Sequence, residues 1–540
     1  MKRILSLLLL AACTISLMAK SSNQLNNEQL QLAIQAYYAE DYATAQSLLE
    51  QELQFHPTNG YAYAWYAVIE NEDINAKVLL LRNALDYLPK SDKDYRAWTY
   101  STLGRTHHYL GDTVQAIENL TQAIKLQPKV SEWVYNRGLL HLQYQQYEQA
   151  LKDFEKAVKL DPNNIAACTW MGKLFHEIQD YKQAHFYYGY VDFVEPTATN
   201  SGLMAETEVV LEMYPQAADC IIQALQLQPY ESHAVALVDL NIPQLNSELI
   251  PRLTLEINKD PQSLQWKHCL AIIRKNKKQY EQAIDLIKAV QAITQSTYED
   301  GILANYYQKL GDYEAALYHA KIAYETDTTY FDHAYLYASS LDELNRTEEA
   351  IQLISQYIDS NPSEYFAYTQ RAGYYFHQGN YTQAIQDYAT AIELNSTSYW
   401  SYFMRGYAYK LTHQDELAEA DFQFVIQHAE GTTEQVYAYI LSGMPEQARI
   451  LTDKLSQDLT VDSPDWYNAL CCYSLMGDLD RAFSMLQELL ESGCYNNFHH
   501  LRNDIDLIHI HGERFDQLVN TYETRTRNRV EAYRNQSNQH

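Results

Sequence analysis

The residues best equipped for chemistry lie near the C-terminal end: the adjacent pair His499 and His500, the trio His509, Ile510 and His511, and the vicinal Cys471 and Cys472. His107 and His108 form a further pair. A metal site needs three or four converging donors, and neighbours on one element rarely converge without more ligands. These histidines therefore read as surface residues. The cysteines Cys168, Cys220, Cys269, Cys471, Cys472 and Cys494 show neither a paired framework nor a C-x-x-C spacing. A cysteine at an apolar helix position behaves as a small hydrophobe, so Cys471 and Cys472 are expected to pack, and a Cys472–Cys494 bond is not expected given the strict geometry of disulfides. There is no phosphate-binding glycine loop, no dinucleotide glycine fingerprint, no nucleophile elbow and no H-E-x-x-H. Residues 199–295 offer no nucleophile–base–acid set at a readable spacing. The expectation is a chain that is not an enzyme and holds neither cofactor nor metal.

What remains is binding chemistry. The sequence carries 47 Tyr and is 13% aromatic. Rigid rings with wide apolar faces and polar tips serve packing and binding surfaces alike. The formal charge of −29, from 40 Lys and Arg against 69 Asp and Glu, repels phosphate backbones and excludes nucleic acid as a partner. The abundant carboxylates read as a solvated face. Arg525, Arg527, Arg529 and Arg534 make the last segment locally basic. It is expected to be a frayed, solvated helix end, with contact to an acidic partner as the alternative.

The elements that position these rings come from an internal period. Pro128, Pro162 and Pro196 lie 34 residues apart, with Pro229 and Pro261 following at 33 and 32. Gly104, Gly138 and Gly172 keep the step, as do Ala116, Ala150 and Ala184, then Ala304, Ala338, Ala372 and Gly406, and Ala316, Ala350 and Ala384. Only 17 Gly and 13 Pro in 540 residues favours long helices over strands and turns. Within one unit, 131–143 is predicted as a first helix and 147–160 as a second. Gly138 and Ala150 are small because the two helices cross there. Tyr147 and Phe154 fill the wedge, Ala157 admits the next unit, and Asp161-Pro162 stops the ladder.

These residues resemble the tetratricopeptide repeat, most closely over 93–196 and 297–396, with a further unit at 29–57 and a shortened one at 60–89. The resemblance implies an all-α fold, an α–α superhelix of antiparallel helix pairs, and a scaffold that binds proteins or peptides. The expected organisation is a targeting segment (1–19), a first array (20–198), a degenerate helical stretch (199–295), a second array (296–430), degenerate repeats with a C-terminal cap (431–523) and a basic tail (524–540). In the stretch 199–295, Leu249 replaces the small residue of the second helix and Pro243 and Pro251 interrupt the pattern. Spacing to Ala420 predicts a two-residue insertion after Gly406. Residues 466–519, with Arg481-Ala482, Leu489-Leu490, Asp504 and Phe515, resemble the closing unit of bacterial repeat proteins, where a polar last face keeps a solenoid soluble; Leu470 stands where that unit usually has a small residue.

In such a superhelix the first helices line the concave side, and their second, fifth, ninth and twelfth places face the groove. Phe366, Phe376, Trp400, Phe403 and Tyr407 are the main candidates, with Tyr335, Tyr135 and Trp98 elsewhere. Such a row suits an extended peptide or a helix. The clamp of basic residues by which some such repeats grip a terminal carboxylate is not repeated around Asn136. Lys2-Arg3 and the apolar run to Met18 form a secretory signal pattern, too short for a membrane span of roughly 20 residues. Cleavage is expected after Ala19, giving an exported chain of the periplasm or cell envelope. The alternative is a lipid anchor at Cys13, within Leu10-Ala11-Ala12-Cys13. The alternative function is carbohydrate binding, since aromatic planes also stack on sugars.

Overall fold

The computed structural model describes residues 27–69, 73–461 and 463–537. The residues up to Ala19 expected to form a targeting segment, with Cys13, and residues 538–540 lie outside it. Among the described residues every regular element is a helix, and no helix is long and apolar enough to cross a membrane. Residues up to Ala234 form one compact unit and those from Val235 a second.

The first unit holds six helical hairpins, from Glu28 to Leu227. Helix Ser232–Asp239 runs across the boundary, and the second unit goes on with helix Pro243–Lys259 and seven hairpins from Leu264 to Ser492, ending in the short helix Phe498–Asn503, a single turn Ile505–Leu507 and the long helix Glu513–Ser537. The pair Ser131–Gln143 and Tyr147–Leu160 follows the predicted bounds. Each unit is an α–α solenoid in which the core lies between the helices of a pair and between successive pairs.

Three devices recur at the repeat spacing. Small residues let the helices cross: a Cβ on Gly138 would stand 2.8 Å from the Phe154 ring, and one on Gly406 would stand 2.8 Å from Phe422. A fork of two hydrogen bonds ties first helix to second: Arg137 to Asp153 (2.8 and 2.6 Å), Arg371 to Asp387 (2.7 and 2.7 Å) and Arg405 to Asp421 (2.8 and 2.7 Å). Planar guanidinium matches carboxylate in this geometry. Where the turn inside a pair is described, it uses one left-handed residue, as at φ 76° in Gly111, 57° in Gln145, 63° in Gln179, 62° in Asn345 and 60° in His413. The next residue often caps the second helix, as Asp112 accepts from the Gln115 amide and Asp180 from that of Gln183.

Three expectations are corrected. The insertion after Gly406 is absent: Ala418, not Ala420, keeps the 34-residue step from Ala384. Ala418 is buried at the helix crossing while Ala420 faces solvent. Pro243 does not interrupt a helix but starts one, at the position where a missing N–H costs nothing. Pro251 does sit inside that helix, and Leu249 is fully buried in place of the usual small residue. The third correction concerns the basic tail. Residues Glu513–Ser537 form one helix whose far half packs against the second unit's early repeats. Val530 and Tyr533 are buried with Tyr280, Ile284, Tyr307 and Leu310. Acidic residues at the turns of those repeats receive its arginines, so the segment is an internal strap rather than a solvated end.

Candidate protein-interaction site

The candidate aromatics divide by burial. Phe366 and Trp400 hold the second place of successive first helices, 34 residues apart. They are 53% and 36% exposed, and Tyr335 is 41% exposed. Phe331 links two of them, its ring centroid lying 6.3 Å from Phe366 and 6.4 Å from Tyr335. Its near-surroundings push the Tyr335 hydroxyl above its ordinary range, by burial first and then by the Glu343 charge. Water still reaches the ring.

Phe376, Phe403 and Tyr407 were expected on the same face and are core instead, at 4%, 1% and 8% exposure. Phe403 stacks on Tyr437 with centroids 4.8 Å apart, and Phe376 meets Tyr407 at 5.4 Å. For Tyr407 the physical reason lies about a hundred residues downstream. The segment Phe498–Ile510 places Phe498, Leu501, Leu507 and Ile510 in the same apolar cluster, and Tyr407 donates its hydroxyl to Asp506 at 3.1 Å. In the first unit, Trp98 is half-buried against Trp65 (5.3 Å) and Tyr95 (5.9 Å), and Tyr135 against Phe154 (5.8 Å). Tyr135 packs inside its own repeat and Trp98 on the repeat before it.

The closing segment also brings together a polar cluster that spacing alone did not reveal. Tyr467 donates to Asp504 at 2.5 Å, the Asp506 amide donates to the other Asp504 oxygen at 2.9 Å, and the Cys471 thiol points at Asp504 from 3.9 Å. Tyr495 and Tyr467 meet His500 Nδ1 at 2.9 and 3.2 Å, and the His500 ring stands edge-on to His377 at 5.2 Å. Burial, then the neighbouring Asp504 charge, pushes Asp506 up to about 8, against hydrogen bonds from Tyr407 and Tyr437 that pull it down. Burial and the Asp342 charge likewise raise Glu343 to about 8. His377 is lowered, by burial and by His500. Burial and the two aspartates raise the Cys471 thiol.

The donor atoms of Cys471, Asp504 and Asp506 lie within 4.8 Å of one another, the count a metal site requires. Their lone pairs, however, are already engaged by tyrosine hydroxyls and a backbone amide, and the thiol is held protonated. The cluster is a hydrogen-bonded polar core within the cap. His500 is therefore a packed residue, whereas His509 and His511 are exposed as expected.

Comparison with known proteins accords with this architecture. Residues 99–130, 133–164 and 303–365 match models of the tetratricopeptide repeat, and 374–412 matches a model described as TPR repeat. The chain is 27% identical over 204 residues to the BBSome complex member BBS4 of Bos taurus, covering 35% of this chain and 38% of that one. It is 36% identical over 61 residues to human tetratricopeptide repeat protein 6, covering 11% of this chain and 12% of that one. Thus it spans well under half the length of either relative. It is 25% identical over 145 residues to the photosystem I assembly protein Ycf3 of Prochlorococcus marinus strain MIT 9303, covering 26% of this chain and 73% of that one. The solved structure of Pseudomonas aeruginosa pilF is 24% identical, with a TM-score of 0.32, over 39% of this chain and 94% of that one. The matched segments are tetratricopeptide repeats, units of protein-interaction scaffolds.

Proposed function

We propose that this tetratricopeptide-repeat chain is an exported, non-catalytic scaffold that takes a protein or peptide partner on the face carrying Tyr335, Phe366 and Trp400. One observation carries the reading. Two large aromatics stand exposed at the same place of consecutive first helices, in a unit that buries Phe376, Phe403 and Tyr407. Desolvating such rings is the usual source of binding energy at a small interface, where a few anchors dominate. An i-to-i+34 spacing sets the anchors one repeat apart, which suits a partner running along successive repeats. Export is proposed from the charged and apolar residues before Ala19, with the lipid-anchored form at Cys13 as its variant. The absence of any catalytic motif in the sequence supports a scaffold rather than an enzyme.

The test is affinity capture from an envelope extract, using the mature chain and a Phe366→Ala/Trp400→Ala variant of matched helicity. The proposal expects specific proteins on the first and at least about tenfold less on the second, the ratio that corresponds to one modest anchor. Equal capture by both removes the aromatic face from consideration. Retention on a polysaccharide gel with no protein captured would favour the carbohydrate reading.

A further inference from the structure

The strap Glu513–Ser537 is buried near its two ends and held between them by polar contacts: Arg502 donates to Asn520 at 2.9 Å and to Glu523 at 2.5 Å, and Thr526 donates to Asn496 at 3.4 Å. Near its start, Phe515 and Val519 are buried in the cluster around the last hairpin. Near its end, Val530 and Tyr533 enter the cluster of the early repeats. From Asn520 to Arg529 no residue is buried. A cavity of about 460 Å³ lies against this stretch, lined among others by Tyr313, Glu343, Asn496, Phe498, Thr526 and Val530.

The far end is held by charge as much as by packing. Arg529 sets its guanidinium on Glu281, with one bond of 2.6 Å, and also donates to the Lys278 carbonyl at 3.2 Å. Tyr533 donates to Asp285 at 2.8 Å. Arg534 forms a fork with Asp312, one arm being 2.8 Å, with Glu314 at 3.7 Å. Lys288 lies 5.4 Å from the Tyr533 ring. Glu281, Asp285 and Asp312 sit on helices of the early repeats, and Asp312 is held independently of the strap, capping its own helix by accepting from the Ala315 amide at 3.1 Å. The receiving surface is therefore a preformed acidic seat with an apolar floor of Tyr280, Ile284, Tyr307 and Leu310. It is shaped for one side of a helix that presents Arg, an apolar residue, Tyr and Arg in the order found at 529, 530, 533 and 534.

We propose that this seat is a docking site for a basic amphipathic helix of a partner protein, occupied in the unpartnered chain by its own strap. Charge complementarity identifies the occupant. A chain of net charge −29 favours a cationic visitor, and the seat already receives two arginines and a tyrosine hydroxyl on carboxylates. The internal strap is the competitor. No residue from Asn520 to Arg529 is fully buried, so the far end can leave while Phe515, Val519 and the Arg502–Glu523 pair hold the near half on the cap. This site is separate from the aromatic face at Phe366 and Trp400 and does not depend on it.

The probe is a capped synthetic peptide of residues 511–537, and the protein is the full mature chain. An Arg529→Ala/Tyr533→Ala/Arg534→Ala chain should bind the labelled peptide at least about tenfold more tightly than the native chain, since the competitor has been weakened. Adding Glu281→Gln and Asp312→Asn to that variant should abolish the gain, and raising the salt should weaken the binding. A peptide that binds neither chain, or binds equally well without the two acidic residues, overturns the proposal. A second measurement uses the native chain alone. Hydrogen exchange at 526–537 should be faster than in helix Tyr313–Thr326 and should rise further with excess peptide. Exchange as slow as in that helix, or unmoved by saturating peptide, also overturns it.

Discussion

Phe403 and Trp400 lie on the same helix, one turn apart, and the structure assigns them opposite roles. Replacing each by alanine tests that assignment quantitatively. Phe403 is 1% exposed and stacked on Tyr437. Its truncation loses the transfer energy of the ring and leaves a cavity that the close-packed hairpins cannot collapse, so the expected cost is roughly 3–5 kcal/mol. Trp400 is 36% exposed and touches Phe403 along one side, with centroids 5.5 Å apart. Its truncation removes only the covered part of the ring and leaves a surface notch open to water, for about 1–2 kcal/mol. The difference of about 2 kcal/mol corresponds to roughly thirtyfold in the local unfolding equilibrium. Urea titration of each variant, with hydrogen exchange read over 399–437, measures it. Partner capture should move the other way, falling with Trp400→Ala and persisting in the folded fraction of Phe403→Ala. Equal stability losses within about 0.5 kcal/mol, the usual limit of additivity, would refute the division of the aromatic row into core and free face.

Two further outcomes follow. Asp506 and Glu343 keep their protons in the folded state up to about pH 8, against ordinary values of 3.8 and 4.5. The unfolded chain gives up those protons first, so their contribution is full at acid pH and stability falls as pH rises towards 8. Asp506→Asn should flatten that fall in a series of denaturation curves, whereas His377, lowered by burial, acts in the opposite sense on the acid side. Gln145 and Gln179 hold left-handed turn positions that Gly fills at 111 and 379. Gln145→Gly and Gln179→Gly should each therefore be neutral to stabilising by up to about 1 kcal/mol despite added chain entropy, seen as a raised midpoint on heating.

The sequence revealed the repeat because its physics is local. A small residue at each crossing and a proline after the second helix recur at a fixed step, and the predicted pair 131–143 and 147–160 needed nothing else. The misread step at Ala420 had a local cause. Two alanines stand two residues apart, and only packing distinguishes Ala418, which faces Gly406's helix, from its exposed neighbour. The forks from Arg137, Arg371 and Arg405 were equally periodic, each reaching an aspartate 16 residues on, and that spacing was a readable signal that had been passed over.

The site was less legible because its boundaries are set by distant chain. Nothing in helix Tyr399–Leu411 announces that Tyr407 will be covered by Asp506, or that Phe403 will lie under Tyr437 of helix Thr433–Leu441. The same holds for the basic end. Arg529 and Arg534 look like solvated residues in any short window, and their partners Glu281 and Asp312 lie more than two hundred residues earlier. The polar cluster of Tyr467, His500 and Asp504 was hidden for the same reason. Each residue alone suits a surface, and only the folded cap makes them a set.

The central claim is that partners engage the face of Phe366 and Trp400. Site-specific photocrosslinking tests it most directly, with benzoylphenylalanine placed at 366, at 400 and, as a control, at Phe193 of the first unit, which is 87% exposed. In an envelope extract, the account predicts the same protein adduct from positions 366 and 400 and none from 193. Adducts from 193 alone, identical adducts from all three positions, or none from 366 and 400 would contradict it.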